Sequence, residues 1–174
     1  MRLLLLLLLV PSIMFAQTKK PFDKKNSFVS YEMNHLLHTW VGISKDLNGV
    51  VQLGADGKIE KVALVSKVSA FDSENSNRDA HMMEVTEALK YPNISFYSTS
   101  VVEAKPGELD VKGILQFHGV NKETTFKASA VSKGGASIVS GNFIFLLEDY
   151  KIERPSFMLN KVDNEVKVKF EVHY

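Results

Sequence analysis

The side chains in this 174-residue sequence best suited to chemistry near neutral pH are five histidines, His35, His38, His81, His118 and His173. A metal site needs three or four of them, or other ligands, to converge inside a hydrogen-bonded outer shell. Three of the five lie far apart in sequence. His35 and His38 are three apart, a spacing that predicts opposite faces at a strand end. Nothing in the spacing brings a ligand set together, so no metal is expected. The chain also lacks Gly-x-Ser-x-Gly, His-Glu-x-x-His and a glycine-rich phosphate loop. Ser98, Thr99 and Ser100 sit in a strand pattern where hydroxyls are routine, and Glu148–Asp149 reads as a loop charge pair. With no cysteine, a disulfide scaffold, an iron–sulfur cluster, a thiolate zinc site and a cysteine nucleophile are all excluded. The sequence therefore reads as a non-enzymatic protein without a cofactor. An enzyme using His35 with Glu32 or Asp79 is the weakest alternative, and it would need a cleft where those groups meet.

The positive signal is aromatic. Phe96, Phe117, Phe126, Phe143, Phe145 and Phe170 all project from apolar faces of alternating segments. They can fill a solid core, or they can line the interior of a barrel that encloses one apolar ligand. His35 falls on an inward face with Tyr31 and Met33, either as a hydrogen-bonded core histidine or as a contact for a ligand's polar head.

The elements that would position these side chains are strands. Period-two alternation runs through 26–35, 50–53, 59–68, 94–102, 109–117, 124–130, 139–147 and 165–173. In the last of these Val166, Val168, Phe170 and Val172 take one face, and Glu165, Lys167, Lys169 and Glu171 the other. Turn residues separate the runs at 55–58, 105–108, 119–122 and 133–136. Eight such strands describe antiparallel hairpins with one buried face, closing into a barrel or packing as a sandwich. One segment, 79–89, has helical spacing in Met82, Met83, Val85, Ala88 and Leu89. Ser76 or Asn77 can cap it, and Pro92 follows it.

Residues 1–16 carry Arg2, a run of leucines and Ala16, the pattern of a secretory signal peptide cut near Ala16 and too short to span a membrane as a helix. Residues 17–26 read as a flexible leader or edge segment, and 27–174 as one β-barrel domain. The formal charge is +1 and falls to 0 when Arg2 is removed, which gives no reason to expect nucleic acid. A periplasmic or secreted protein without disulfides must rely on its core.

Several spaced pieces resemble one family, in order along the chain. They are His35, Gly42 and Asn48-Gly49; Phe71-Asp72-Ser73; Asn77-Arg78-Asp79-Ala80-His81; and Tyr91-Pro92-Asn93-Ile94-Ser95-Phe96-Tyr97-Ser98. Val111-Lys112-Gly113 with Leu115, His118-Gly119-Val120-Asn121-Lys122 and Arg154 complete the set. Together they resemble the YceI-like family of secreted, lipocalin-like, polyisoprenoid-binding proteins. The resemblance implies an elongated eight-stranded antiparallel barrel with one short helix near its mouth. It also implies an apolar tunnel for an isoprenoid-like chain or another amphiphile. Tyr31, Met33, Phe96, Leu115, Phe117, Phe126, Phe143, Phe145 and Phe170 are the candidate tunnel lining, with His35 and Arg78 as candidates for the polar head. The expected partner is thus an apolar or amphiphilic small molecule, with no nucleic acid and no membrane-spanning segment in the mature chain. An aromatic patch at the mouth could also serve a homodimer. The alternative is a solid barrel acting through its surface as a partner-binding or stress-related envelope module.

Overall fold

A computed structural model describes residues 17–174 except 37, 134, 135 and 158. The signal peptide expected over 1–16 lies outside the described residues.

Among the described residues ten strands form one antiparallel sheet. In chain order the elements are β1 (Thr18–Pro21), β2 (Phe28–His35), β3 (His38–Ser44), β4 (Leu47–Leu53), β5 (Ile59–Lys67), α1 (Ser76–Val85), β6 (Asn93–Lys105) and β7 (Glu108–Phe117). They continue with β8 (Val120–Lys133), β9 (Ala136–Leu146), the small hairpin β10 (Ser156–Phe157) and β11 (Asn160–Lys161), and β12 (Glu165–His173). The sheet order is β1-β4-β5-β6-β7-β8-β9-β12-β2-β3. The sheet curls into a barrel because β3 runs into β4 through the two-residue bend Lys45–Asp46. One run of chain thereby carries a strand at each side of the sheet, paired with β2 before the bend and with β5 after it. The seam is tied by a bridge between Ile43 and Asp72 and by the Ser44 and Ser66 hydroxyls, 2.8 Å apart. Both serines are fully buried, so each hydroxyl satisfies the other where water cannot.

The all-antiparallel barrel follows the alternation, but the strand count does not stop at eight. Residues 18–21, read as flexible leader or edge, form the edge strand β1 against β4, and Phe22 after it is buried. The larger difference is β3. Two of its outward residues are apolar, Val41 (44% exposed) and Ile43 (43%), while His38, Trp40, Gly42 and Ser44 turn inward. A strand whose polarity is inverted gives no signal to a pattern that expects apolar residues inside.

Elsewhere the pattern and the packing agree. Val166, Val168, Phe170 and Val172 of β12 are buried, as are Leu109, Val111, Leu115 and Phe117 of β7. Each such burial contributes about 1.5–3 kcal/mol. Gly113 lies among the β7 residues because a β-carbon there would come within 2.5 Å of the Tyr97 carbonyl and 2.6 Å of the Phe96 ring.

The helix begins earlier and ends sooner than 79–89. Asn75 precedes α1 without a side-chain cap, and Ser76 and Asn77, expected as caps, are inside its first turn. The Asp79 carboxylate instead accepts the Ser73 N–H (3.1 and 3.3 Å) and holds the approach to the helix. At the other end Thr86 Oγ1 donates to the Met82 carbonyl (2.6 Å), and Glu87 turns left-handed, which stops the helical path. The β7–β8 turn is centred on His118–Gly119, two residues before the centre of the predicted turn at 119–122. Both residues have positive φ (48° and 71°), as a two-residue hairpin turn that matches strand twist requires.

Candidate ligand cavity

The β2–β3 turn, the β5–β6 connection carrying α1, the β7–β8 turn and the β9–β12 connection all lie at one end of the barrel, as the strand pairings require. Beneath α1 and the β9–β12 connection lies a cavity of about 490 Å³. Its wall is mainly apolar. The inward phenylalanines Phe126, Phe143 and Phe145 stay only half-buried although they face the centre of the fold, because they border this space.

All eleven candidate residues border the one cavity. Tyr31, Met33 and His35 come from β2, Phe96 from β6, Leu115 and Phe117 from β7, Phe126 from β8, Phe143 and Phe145 from β9, Phe170 from β12, and Arg78 from α1. The rings form a connected belt. Phe126 stacks on Phe143 (centroids 5.1 Å, 19° between planes) and meets Phe96 at 5.4 Å and Phe170 at 5.6 Å. Phe117, Phe145 and Tyr150 close a second cluster, with centroids 5.3–6.0 Å apart. Offset and edge-on pairs at these separations add about 0.5–1.5 kcal/mol each beyond simple burial. Tyr150 is almost fully buried, and that burial pushes its phenol up to about 12.

The end beside α1 is different. His35 is buried, with Nε2 3.3 Å from the Asn160 carbonyl of β11. His38 does not sit on the opposite face. The chain reverses between the two histidines, which become direct partners across β2 and β3, so their rings lie on one side at 6.1 Å. His38 lies 5.5 Å from Trp40, and the Arg78 guanidinium sits 5.0 Å over the Trp40 ring. Arg78 Nε donates to Ser73 Oγ at 3.1 Å. Tyr31 lies across Gly42, where any β-carbon would meet its ring (2.5 Å to Cζ). Burial raises the Tyr31 phenol above its ordinary range and the Asp79 charge adds to this, while Trp40, Arg78 and Ser73 oppose it.

Sequence reasoning missed His38, Trp40, His81, Met82 and Thr86, which also line the cavity. Met82 belongs to the apolar helical spacing of 79–89, and His81 to the family-like stretch 77–81 at its start. His38 and Trp40 required recognising the hairpin between His35 and His38. Glu32, offered as a partner for His35, lies on the outer face of β2 with its carboxylate 2.8 Å from Lys167 Nζ. Among the described residues no three His, Cys, Asp or Glu residues are grouped to hold a metal ion, and no helix is long and apolar enough to cross a membrane. The late Arg154 serves the roof, donating to Glu148 (2.8 Å) and to the Val162 carbonyl (3.3 Å).

Known proteins share this fold. The family model described as a YceI-like domain matches residues 21–174. The protein YceI of Salmonella newport is 29% identical over 133 residues, which cover 74% of this chain and 69% of that protein. Burkholderia cenocepacia BcnA superposes with a TM-score of 0.80 at 18% identity, covering 88% of this chain and 99% of BcnA. A polyisoprenoid binding domain from Saccharophagus degradans, implicated in plant cell wall breakdown, superposes with a TM-score of 0.74 at 17% identity. It covers 92% of this chain and 98% of that domain.

Proposed function

The chain belongs to the YceI-like family, and from that premise we propose that it is a non-enzymatic carrier or scavenger of an isoprenoid-like or other amphiphilic lipid. The observation that carries this reading is the apolar cavity of about 490 Å³. A solid barrel would leave no void larger than a few waters, each occupying about 30 Å³. The cavity exceeds that many times over and has room for the chain of an amphiphile. Each buried methylene contributes about 0.8 kcal/mol, so such a chain binds with few polar contacts. The polyisoprenoid binding of the Saccharophagus degradans domain is in keeping with such an occupant. In this reading the chain lies along Met33, Leu115 and the phenylalanine belt, with its head near His35 and Arg78. No cofactor takes part. The leucine-rich leader expected over residues 1–16 supports work in the periplasm or outside the cell.

The test is native mass spectrometry of the protein purified from its own envelope, repeated after denaturation. A mass surplus that leaves on denaturation supports the carrier, and its value begins to identify the lipid. A bare protein mass, unchanged after incubation with polyprenyl lipids, rejects the reading in favour of a surface-acting barrel. The same spectra report whether two copies associate.

A further inference from the structure

We infer that the cavity's occupant carries an acidic head, a carboxylate or a phosphate, held by Arg78 at the α1 end. This rests on the lipid reading above and deepens it. Arg78 borders a mainly apolar cavity, yet among the described residues no carboxylate lies within ion-pair distance of its guanidinium. Its Nε is used by Ser73 Oγ, and its face is used by Trp40, while the two Nη atoms have no hydrogen-bond partner among the described residues. The nearby acids are committed elsewhere. Asp79 accepts the Ser73 N–H, and Glu84 lies 3.3 Å from His81 Nδ1. Arg154 is the contrast, since Glu148 neutralises it directly at 2.8 Å.

A guanidinium beside a low-dielectric space is costly without a counter-ion, and its charge is worth most when one is supplied. The two remaining Nη groups form the planar fork that matches a carboxylate or a phosphate. Ser73 and Trp40 fix its orientation in advance, which lowers the cost of binding. His38, which meets the same tryptophan and borders the same cavity, adds ring N–H capacity at this end. Fatty acids and prenyl phosphates both present this head on an apolar chain, and a neutral alcohol of the same chain does not.

The chain's single tryptophan, Trp40, lies at this spot, so its fluorescence reports occupancy alongside calorimetry. The full protein is titrated with two matched pairs, palmitate against hexadecanol and farnesyl phosphate against farnesol. The acid of at least one pair should bind about tenfold or more tightly than its alcohol, the worth of one charged hydrogen-bonded contact. The pair that shows the larger difference names the source of the head. Arg78→Gln should erase the difference, and Arg78→Lys should keep part of it. Equal binding of acid and alcohol in both pairs overturns the acidic head while leaving the lipid reading standing, as does a preference that survives Arg78→Gln. If neither acids nor alcohols bind, the lipid reading itself fails and this inference with it. The comparison on the unaltered protein decides the matter even if a variant does not fold.

Discussion

Lengthening a bound straight chain one carbon at a time should tighten binding steadily and then stop. The slope follows from burial. About 0.8 kcal/mol per methylene is about a fourfold lower Kd per carbon. The stopping point follows from the cavity, because carbons beyond those it can enclose stay in water and add nothing. Ala128 allows the break to be moved. It is buried on the inward face of β8, opposite Leu109 and Gly141, and borders the cavity. Ala128→Leu adds about three carbon-sized groups to the wall, so the break should come about three carbons earlier with the slope below it unchanged. The assay is isothermal titration calorimetry with chains of about eight to about twenty carbons and one constant head group. Affinity that keeps rising without a break, or a break that Ala128→Leu does not shift, would refute the idea that the chain is enclosed in this cavity.

Three further outcomes follow from named contacts. Gly42→Ala forces the Tyr31 ring off β3 and should cost about 1–3 kcal/mol of stability in urea unfolding; an unchanged midpoint would show that the ring has room to move. His118 bridges the Tyr150 carbonyl and the Glu87 carboxylate, each at 2.8 Å, which holds the β7–β8 turn to both the α1 connection and the roof. His118→Ala should therefore lose about 1–3 kcal/mol, and no loss would mean that the bridge contributes nothing. Tyr150, pushed up to about 12, should be among the last phenols to ionise, and Tyr150→Phe should remove that late step from the phenolate absorbance titration. Because its folded value lies above the ordinary value near 10, its contribution to stability is complete below that pH. It is lost as the pH climbs towards 12. A titration of Tyr150→Phe identical to that of the unaltered protein counts against this assignment.

What the sequence by itself determined was the inward faces of most strands. In β12 a strict period of two leaves only one way to bury the valines and Phe170, because a slip by one residue would turn the whole set to solvent, and β7 and β9 bury the same kind of set although Ile114, Ile144 and Leu146 lie on their other face. Leu115, Phe117, Phe143, Phe145 and Phe170 reach one cavity for that reason. β3 was not legible, because Val41 and Ile43 point outward and the inward positions carry His38, Trp40, Gly42 and Ser44. Only the tertiary structure decided whether the barrel is hollow. Interior volume depends on how many strands close the sheet and how they are staggered, and no single strand's pattern encodes either. Closure likewise depends on the bend at Lys45–Asp46 and on two buried serines from strands distant in sequence. The convergence of His35, His38, Trp40 and Arg78 also belongs to the tertiary structure. A hairpin reversed the histidine spacing, and α1 carried Arg78 across to a tryptophan 38 positions earlier in the chain, Trp40.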